Sequence, residues 1–134
     1  MNKIIVDTNV YSFLCHGRID VARLLFEYDE VVVPAVVVGE LEAGFRNGVR
    51  YAENKAGLDR FLALSRVRIA EVNQSVAEEY GRIHSNLKSR GAMIPLNDVW
   101  IAATALAIKA PLVSFDNHFT NVEGLDLILK EVTS

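Results

Sequence analysis

Ile94 to Phe119 reads I-P-L-N-D-V-W-I-A-A-T-A-L-A-I-K-A-P-L-V-S-F-D-N-H-F, a stretch that sets two carboxylates into otherwise apolar surroundings. Pro95 and the Asn97-Asp98 pair open a helix, and from Val99 to Ala110 only Thr104 and Lys109 are conventionally polar. A helix that is apolar nearly all round is buried in a packed domain. Ala110-Pro111 stops it. Leu112-Val113-Ser114-Phe115 then has the composition of a short buried strand, with Asp116 just past its C-terminal end. In open parallel sheets the binding crevice lies outside the carboxyl ends of the strands, where Asp116 falls and which Asp98, at a helix start, can also face. Plainer roles are open to both acids: Asp98 as a first-turn or capping carboxylate, worth about 0.5 to 2 kcal/mol, and Asp116-Asn117 as a turn.

The N-terminus repeats the pattern. Lys3-Ile4-Ile5-Val6 is a β-branched run ending at Asp7-Thr8-Asn9, a second acid at a strand end. Tyr11 to Leu14 and Asp20 to Tyr28 are expected to be helical, and Glu30 leads into Val31-Val32-Val33, which completes a βαβ unit with a right-handed crossover. Pro34 suits the first position of a helix running to about Arg46. Val36, Val37, Val38, Leu41, Gly44 and Phe45 make its apolar face, and Glu40 interrupts that face. A carboxylate there is costly unless compensated, or else it sits at the edge of the stripe and reaches water. Glu42 is expected to point away as ordinary surface.

Tyr51 to Leu64 has an amphipathic helical pattern, and Val67-Arg68-Ile69-Ala70 is a strand. Ser75-Val76-Ala77-Glu78 resembles a capping box, opening a helix that ends near Arg90-Gly91 and carries a surface or half-buried His84. Leu127-Ile128-Leu129 adds a last strand. The order β-α-β-α-α-β-α-α-β-β predicts one α/β domain over residues 1–134, with a central, mostly parallel sheet flanked by helices.

Composition narrows the function classes. With 134 residues, 51% hydrophobic content and a mean hydropathy of +0.20, the chain can bury a sizeable core. The longest apolar run, Val31 to Gly39, contains Pro34 and falls far short of the ~20 residues of a membrane helix. The first residues do not have the make-up of a signal peptide, so a cytoplasmic protein without membrane attachment is expected. Cys15 is the single cysteine, which excludes an internal disulfide and a cysteine-based zinc site; a core-filling role is expected for it. A net charge of -3 does not suit an indiscriminate polyanion binder. Between Arg46 and Arg68, however, Arg46, Arg50, Lys55, Arg60, Arg66 and Arg68 outnumber Glu53 and Asp59. Such a stretch is either a solvated helix face or a surface that follows phosphates, with Arg46, Arg50 and Lys55 the candidate RNA contacts.

Asp7, Glu40, Asp98 and Asp116 are the candidate catalytic residues, because strand and helix ends bring the three aspartates toward one crevice and Glu40 breaks a core face. Two carboxylates about 4 Å apart repel by roughly 4 kcal/mol at an effective dielectric of 20, so such a group needs protons or a cation. Oxygen ligands favour Mg2+ or Mn2+ over zinc, and such an ion can promote attack of water on a phosphodiester.

The motifs in order resemble the PIN-domain ribonucleases of the VapC toxin type: Asp7-Thr8-Asn9 after a short strand, Val38-Gly39-Glu40-Leu41, Asn97-Asp98-Val99-Trp100-Ile101-Ala102-Ala103, then Leu112 to Phe119. The resemblance covers nearly the whole chain. It implies a PIN-like three-layer α/β sandwich, an acidic pocket of Asp7, Glu40, Asp98 and Asp116, and Mg2+ held directly by Asp7 and Asp98, with Mn2+ as a possible substitute. Thr8, Asn9 and Ser114 match supporting polar positions. It further implies a VapB-like antitoxin, a homodimer and structured RNA, such as transfer RNA, as substrate. Ser114 stands where Thr is common in the family, and Asn117-His118 replaces a further acid of some relatives, which weighs against a second metal.

Two other classes compete. A phosphatase that forms an aspartyl phosphate wants a second Asp two residues after the first, where this chain has Asn9, and a receiver domain wants its phosphorylated Asp in mid-chain. A non-catalytic module that binds RNA or peptide in the same groove would carry the same acids.

Overall fold

Ile4, Ile5 and Val6, Val31 to Val33, and Leu112 and Val113 are all buried, as strands covered on both faces must be. The computed structural model, which describes residues 1–133, joins them in one sheet. Its strands are β1 (Lys3–Val6), β2 (Glu30–Pro34), β3 (Val67–Ala70), β4 (Leu112–Ser114) and β5 (Leu127–Leu129), in the spatial order β3-β2-β1-β4-β5. Every pairing is parallel, in line with the expected mostly parallel sheet. Ile5 of the central strand stands opposite Val32 on one side and Leu112 on the other. Strand order therefore reverses at β1 and β4, and the crevice beyond their C-terminal ends is the topological switch point. Asp7 and Asp116 follow those two strands.

Six α-helices of the described residues connect and flank the sheet: α1 (Thr8–Cys15), α2 (Ile19–Phe26), α3 (Ala35–Arg46), α4 (Tyr51–Leu62), α5 (Gln74–Ser89) and α6 (Leu96–Ile108). Among the described residues, no helix is long and apolar enough to cross a membrane. Val99, Ile101, Ala102, Ala103, Thr104 and Ala105 of α6 are buried, and the small alanines let neighbouring backbone approach closely. Val76, Ile83 and Leu87 of α5 supply its main packing face, and Trp100 stacks on Tyr80 with ring centroids 3.9 Å apart. The Thr104 hydroxyl is satisfied within α6 by donating to the Trp100 carbonyl at 2.9 Å. Phe119, in a short 3-10 turn over Asn117–Asn121, plugs the core beside the acids.

Several local expectations change. The cap of α5 is Asn73, whose extended backbone lets Oδ1 accept from the Val76 N–H at 3.0 Å; Ser75 lies inside the helix. Cys15 is exposed at the end of α1, because the buried positions of that short helix are Val10 and Tyr11. Glu42 is half-buried and not plain surface: it accepts from Tyr51 Oη at 3.0 Å and pairs with Arg46 at 3.3 Å and Lys55 at 3.7 Å, tying α3 to α4.

Helix α6 does not end through Pro111 alone. Lys109 takes the left-handed conformation, φ 63° and ψ 48°, that turns the chain into β4. A residue with a Cβ is strained there by about 1 to 2 kcal/mol, which glycine avoids at the cost of a freer unfolded chain. Lys109→Gly is therefore expected to stabilise the protein by about 1 kcal/mol or less. Urea unfolding checks this: the midpoint should rise at unchanged slope, and a lower midpoint would show that the lysine side chain is needed.

Candidate functional site

Val6 is the last residue of β1, so the next side chain emerges at the switch point. That residue is Asp7, only 5% exposed. Its carboxylate is gripped from two sides: Oδ1 accepts from the Thr8 N–H at 2.7 Å and Oδ2 from the Ser114 hydroxyl at 2.6 Å. Ser114 ends β4 and also accepts from the Asp116 N–H at 2.9 Å, so one hydroxyl joins the two strand ends. Asp116 in turn caps the 3-10 turn, accepting from the His118 N–H at 2.9 Å.

Two helices complete the group. The first turn of α6 carries Asp98, but no side chain caps this helix, so the plainer capping role does not apply to it. Helix α3 brings Glu40, whose two oxygens accept from the Thr8 hydroxyl at 2.6 Å and from the Asn97 side chain at 3.3 Å. Thr8 thus orients both Asp7 and Glu40, one through its backbone and one through its hydroxyl. His118 folds back over the acids, its Nδ1 3.2 Å from Asp98 Oδ2 and 3.0 Å from Asp116 Oδ1. One donor atom each from Asp98, Asp116 and His118 lies within 4.8 Å of the others, a spacing that can hold a metal ion.

Electrostatics follows from this crowding. Burial, opposed by the bonds from Ser114 and Thr8 and reinforced by the charges of Asp98 and Glu40, pushes the Asp7 carboxyl up to about 6. The Asp98 carboxyl is also raised, chiefly by burial, with His118 opposing and Asp116 and Glu40 adding to the rise. Among the described residues no Lys or Arg forms an ion pair with any of the four acids. The site is a concentration of negative charge relieved only by hydroxyl, amide and imidazole donors.

The structure brings Asp7, Glu40, Asp98 and Asp116 together with Thr8 and Ser114. Asn9 forms no side-chain hydrogen bond with them and lines an adjoining cleft. Arg46 and Lys55 are engaged elsewhere, Arg46 with Glu42 and the Tyr51 ring and Lys55 with Asp59 and Glu42, while Arg50 is exposed just before α4. Sequence reasoning missed Asn97 and His118. The signal for His118 was its position two residues after Asp116, within reach once the chain makes a tight turn.

The sequence profile of the PIN domain matches residues 4–125. Ribonuclease VapC2 of Rickettsia felis is 28% identical over 113 residues, covering 81% of this chain and 83% of that protein. Ribonuclease VapC4 of Mycobacterium tuberculosis is 26% identical over 128 residues, covering 96% and 97%. The crystal structure of VapBC2 from Rickettsia felis, bound to a DNA fragment of its promoter, superposes with a TM-score of 0.83 at 27% identity over 95% of this chain and 98% of that one. VapBC-1 from nontypeable Haemophilus influenzae gives a TM-score of 0.86 at 24% identity, covering 95% and 97%, a likeness of fold.

The raised Asp7 carboxyl has a stability consequence. Its folded form holds a proton more tightly than the unfolded chain, so the metal-free protein loses stability as pH rises from about 4 to about 6, by up to about 3 kcal/mol from this group. Asp7→Asn removes that loss. In EDTA the variant's thermal midpoint is expected to exceed the parent's by more at about pH 8 than at about pH 4.5. An equal difference at both values would contradict the burial account.

Proposed function

The chain belongs to the PIN domain family, and on that footing we propose that it is a ribonuclease toxin of the VapC kind, hydrolysing RNA phosphodiester bonds with a divalent metal, Mg2+ or Mn2+. The observation that carries the proposal is the meeting of Asp7, Glu40, Asp98 and Asp116 at the switch point with no Lys or Arg among the described residues paired to them. The names of the ribonuclease relatives support the activity. The toxin–antitoxin complex from Rickettsia felis supports a VapB-like antitoxin as partner. A homodimer, and structured RNA with transfer RNA first among candidates, complete the proposal.

The donor set fits a hard divalent cation, because the oxygens are many, charged and otherwise uncompensated. Asp7 and Asp98 would hold it, with Glu40 and Asp116 beside them. When bound, such an ion supplies charge neutralisation at phosphorus and acidifies water. The remaining work falls to the chain. Thr8 and Ser114 keep the Asp7 oxygens fixed, so that little reorganisation is needed when substrate arrives. Glu40, oriented by Thr8 and Asn97, and Asp116, oriented by His118, are the carboxylates available to hold the attacking water and take its proton. Attack at phosphorus with departure of the 3'-oxygen leaves 5'-phosphate and 3'-hydroxyl ends. The exposed Arg50 is the cation of the α3–α4 region proposed to meet RNA phosphates, with Arg46 and Lys55 contributing after release from Glu42.

Incubation of the protein with total transfer RNA in Mg2+ or Mn2+, followed by sequencing of fragment ends, tests this. Discrete cleavage is expected, abolished by EDTA and lowered by about 100-fold or more in Asp7→Asn and in Asp98→Asn. Fragments ending in 2',3'-cyclic phosphate would overturn the hydrolytic route, and full activity of Asp98→Asn would return that residue to a structural role.

A further inference from the structure

Beside the acids lies a cleft of about 610 Å³, within the range of small-ligand sites, and Asp116 belongs to both. Phe13 of α1 and Phe115, just after β4, form one wall, their rings 4.2 Å apart and inclined by 31°. Both are half-buried, so each keeps aromatic surface on the cleft. Asn9 and Asn117 bring amide groups to the rim, and Leu129 and Val132 of the C-terminal segment stand among the lining residues.

This wall is built and braced. The Arg18 guanidinium lies 5.3 Å from the Phe13 centroid and 5.2 Å from that of Phe115. It is held by Asp20 through two bonds of 2.8 Å and donates to the carbonyls of Val132 at 2.9 Å and Glu131 at 3.2 Å. Lys130 pairs with Asp20 at 3.1 Å, and its N–H donates to the Ser114 carbonyl at 2.8 Å. The C-terminal segment is thereby fastened to the loop between α1 and α2, with the two phenylalanines beneath the fastening.

Charge decides what such a cleft takes. Among its lining residues Asp116 and Glu131 are carboxylates and Lys130 is the cation; Asp20 already engages Lys130 and likewise holds the Arg18 guanidinium that lies over the rings. A phosphate is repelled. A flat, neutral group with hydrogen-bonding edges suits two aromatic rings and two amides, and the unstacked bases of single-stranded RNA are such groups. We propose that the Phe13–Phe115 cleft is a nucleobase subsite, which receives the base of the nucleotide next to the scissile phosphate and makes these two residues determinants of cut-site preference. The proposal rests on the ribonuclease assignment above, since it is the acids sharing Asp116 that fix where the phosphate lies.

The probe is 2-aminopurine riboside 5'-monophosphate, whose fluorescence falls when its base stacks on an aromatic ring, titrated with the full chain in Mg2+. Saturable quenching is expected, about tenfold weaker in affinity for Phe115→Leu and for Phe13→Leu. Phe115→Tyr, which keeps the ring, should bind like the parent, and ribose 5-phosphate should not displace the probe. In RNA cleavage the leucine variants should raise KM and relax the sequence preference beside the cut. Absence of quenching, or equal affinity for parent and leucine variants, overturns the subsite and leaves the cleft to a protein segment. Loss in Phe115→Tyr as well overturns it too, because the ring would not be what binds. RNA cleavage is scored separately: a chain that cuts RNA but ignores the nucleotide loses only the subsite, and one that binds the nucleotide but cuts no RNA loses the ribonuclease assignment.

Discussion

Like charges held close together, with an imidazole but no Lys or Arg among the described residues to answer them, set the terms for this molecule. Four carboxylates converge from the end of β1, α3, α6 and the turn after β4, and among the described residues none is paired with a Lys or Arg. Such a group is unfavourable by itself, and the scaffold has to hold it against its own repulsion. It does so with short donors: the Ser114 and Thr8 hydroxyls, the Thr8 N–H and the Asn97 amide each occupy one carboxylate oxygen. Each donor reduces the repulsion without neutralising it. The arrangement leaves the negative charge of the site largely uncompensated while its carboxylates are held in place.

Stability for that strain comes from elsewhere in the fold. The three central strands are packed with Ile and Val, buried on both faces, and α6 is apolar almost all round. Phe119 sits three residues beyond Asp116 and is essentially fully buried, so the turn that carries Asp116 and His118 is anchored by its own aromatic residue. Apolar burial and acid placement are thus alternated along the same short segments. A strand ends, a polar pair is presented, and an apolar residue returns the chain to the core.

Much of this was legible in the sequence for a simple reason: strands buried on both faces are runs of β-branched residues, and acids at their ends stand out against them. Asp7, Asp98 and Asp116 could be picked out by position alone, and Glu40 by its place on an apolar helix face. What escaped depends on turn geometry. His118 meets Asp98 and Asp116 only because a 3-10 turn folds it back, and nothing in Asn117-His118-Phe119 alone dictates that turn. Asn73 and Ser75 are both good caps, and the backbone chose the earlier one. Cys15 and Glu42 were misjudged because the burial of a helix position depends on what packs against it, which a single helix does not contain. The Lys109 turn was hidden for the opposite reason, since glycine is the usual occupant of that conformation and the chain uses lysine.

The pairing of β1 with β4 bears on when during synthesis the site comes into being. The Ser114 hydroxyl that holds Asp7 is separated from it by 107 positions along the chain. Until β4 has emerged, the N-terminal strand lacks one of its two neighbours, and Asp7 lacks the donor that fixes it. A nascent chain ending before Leu112 carries three of the four acids, yet no assembled pocket. Long-range closure of this sort is slow to form and is completed late. For a chain proposed to cut RNA with these acids, and made on a machine composed of RNA, the topology withholds the assembled site until β4 has been made and paired.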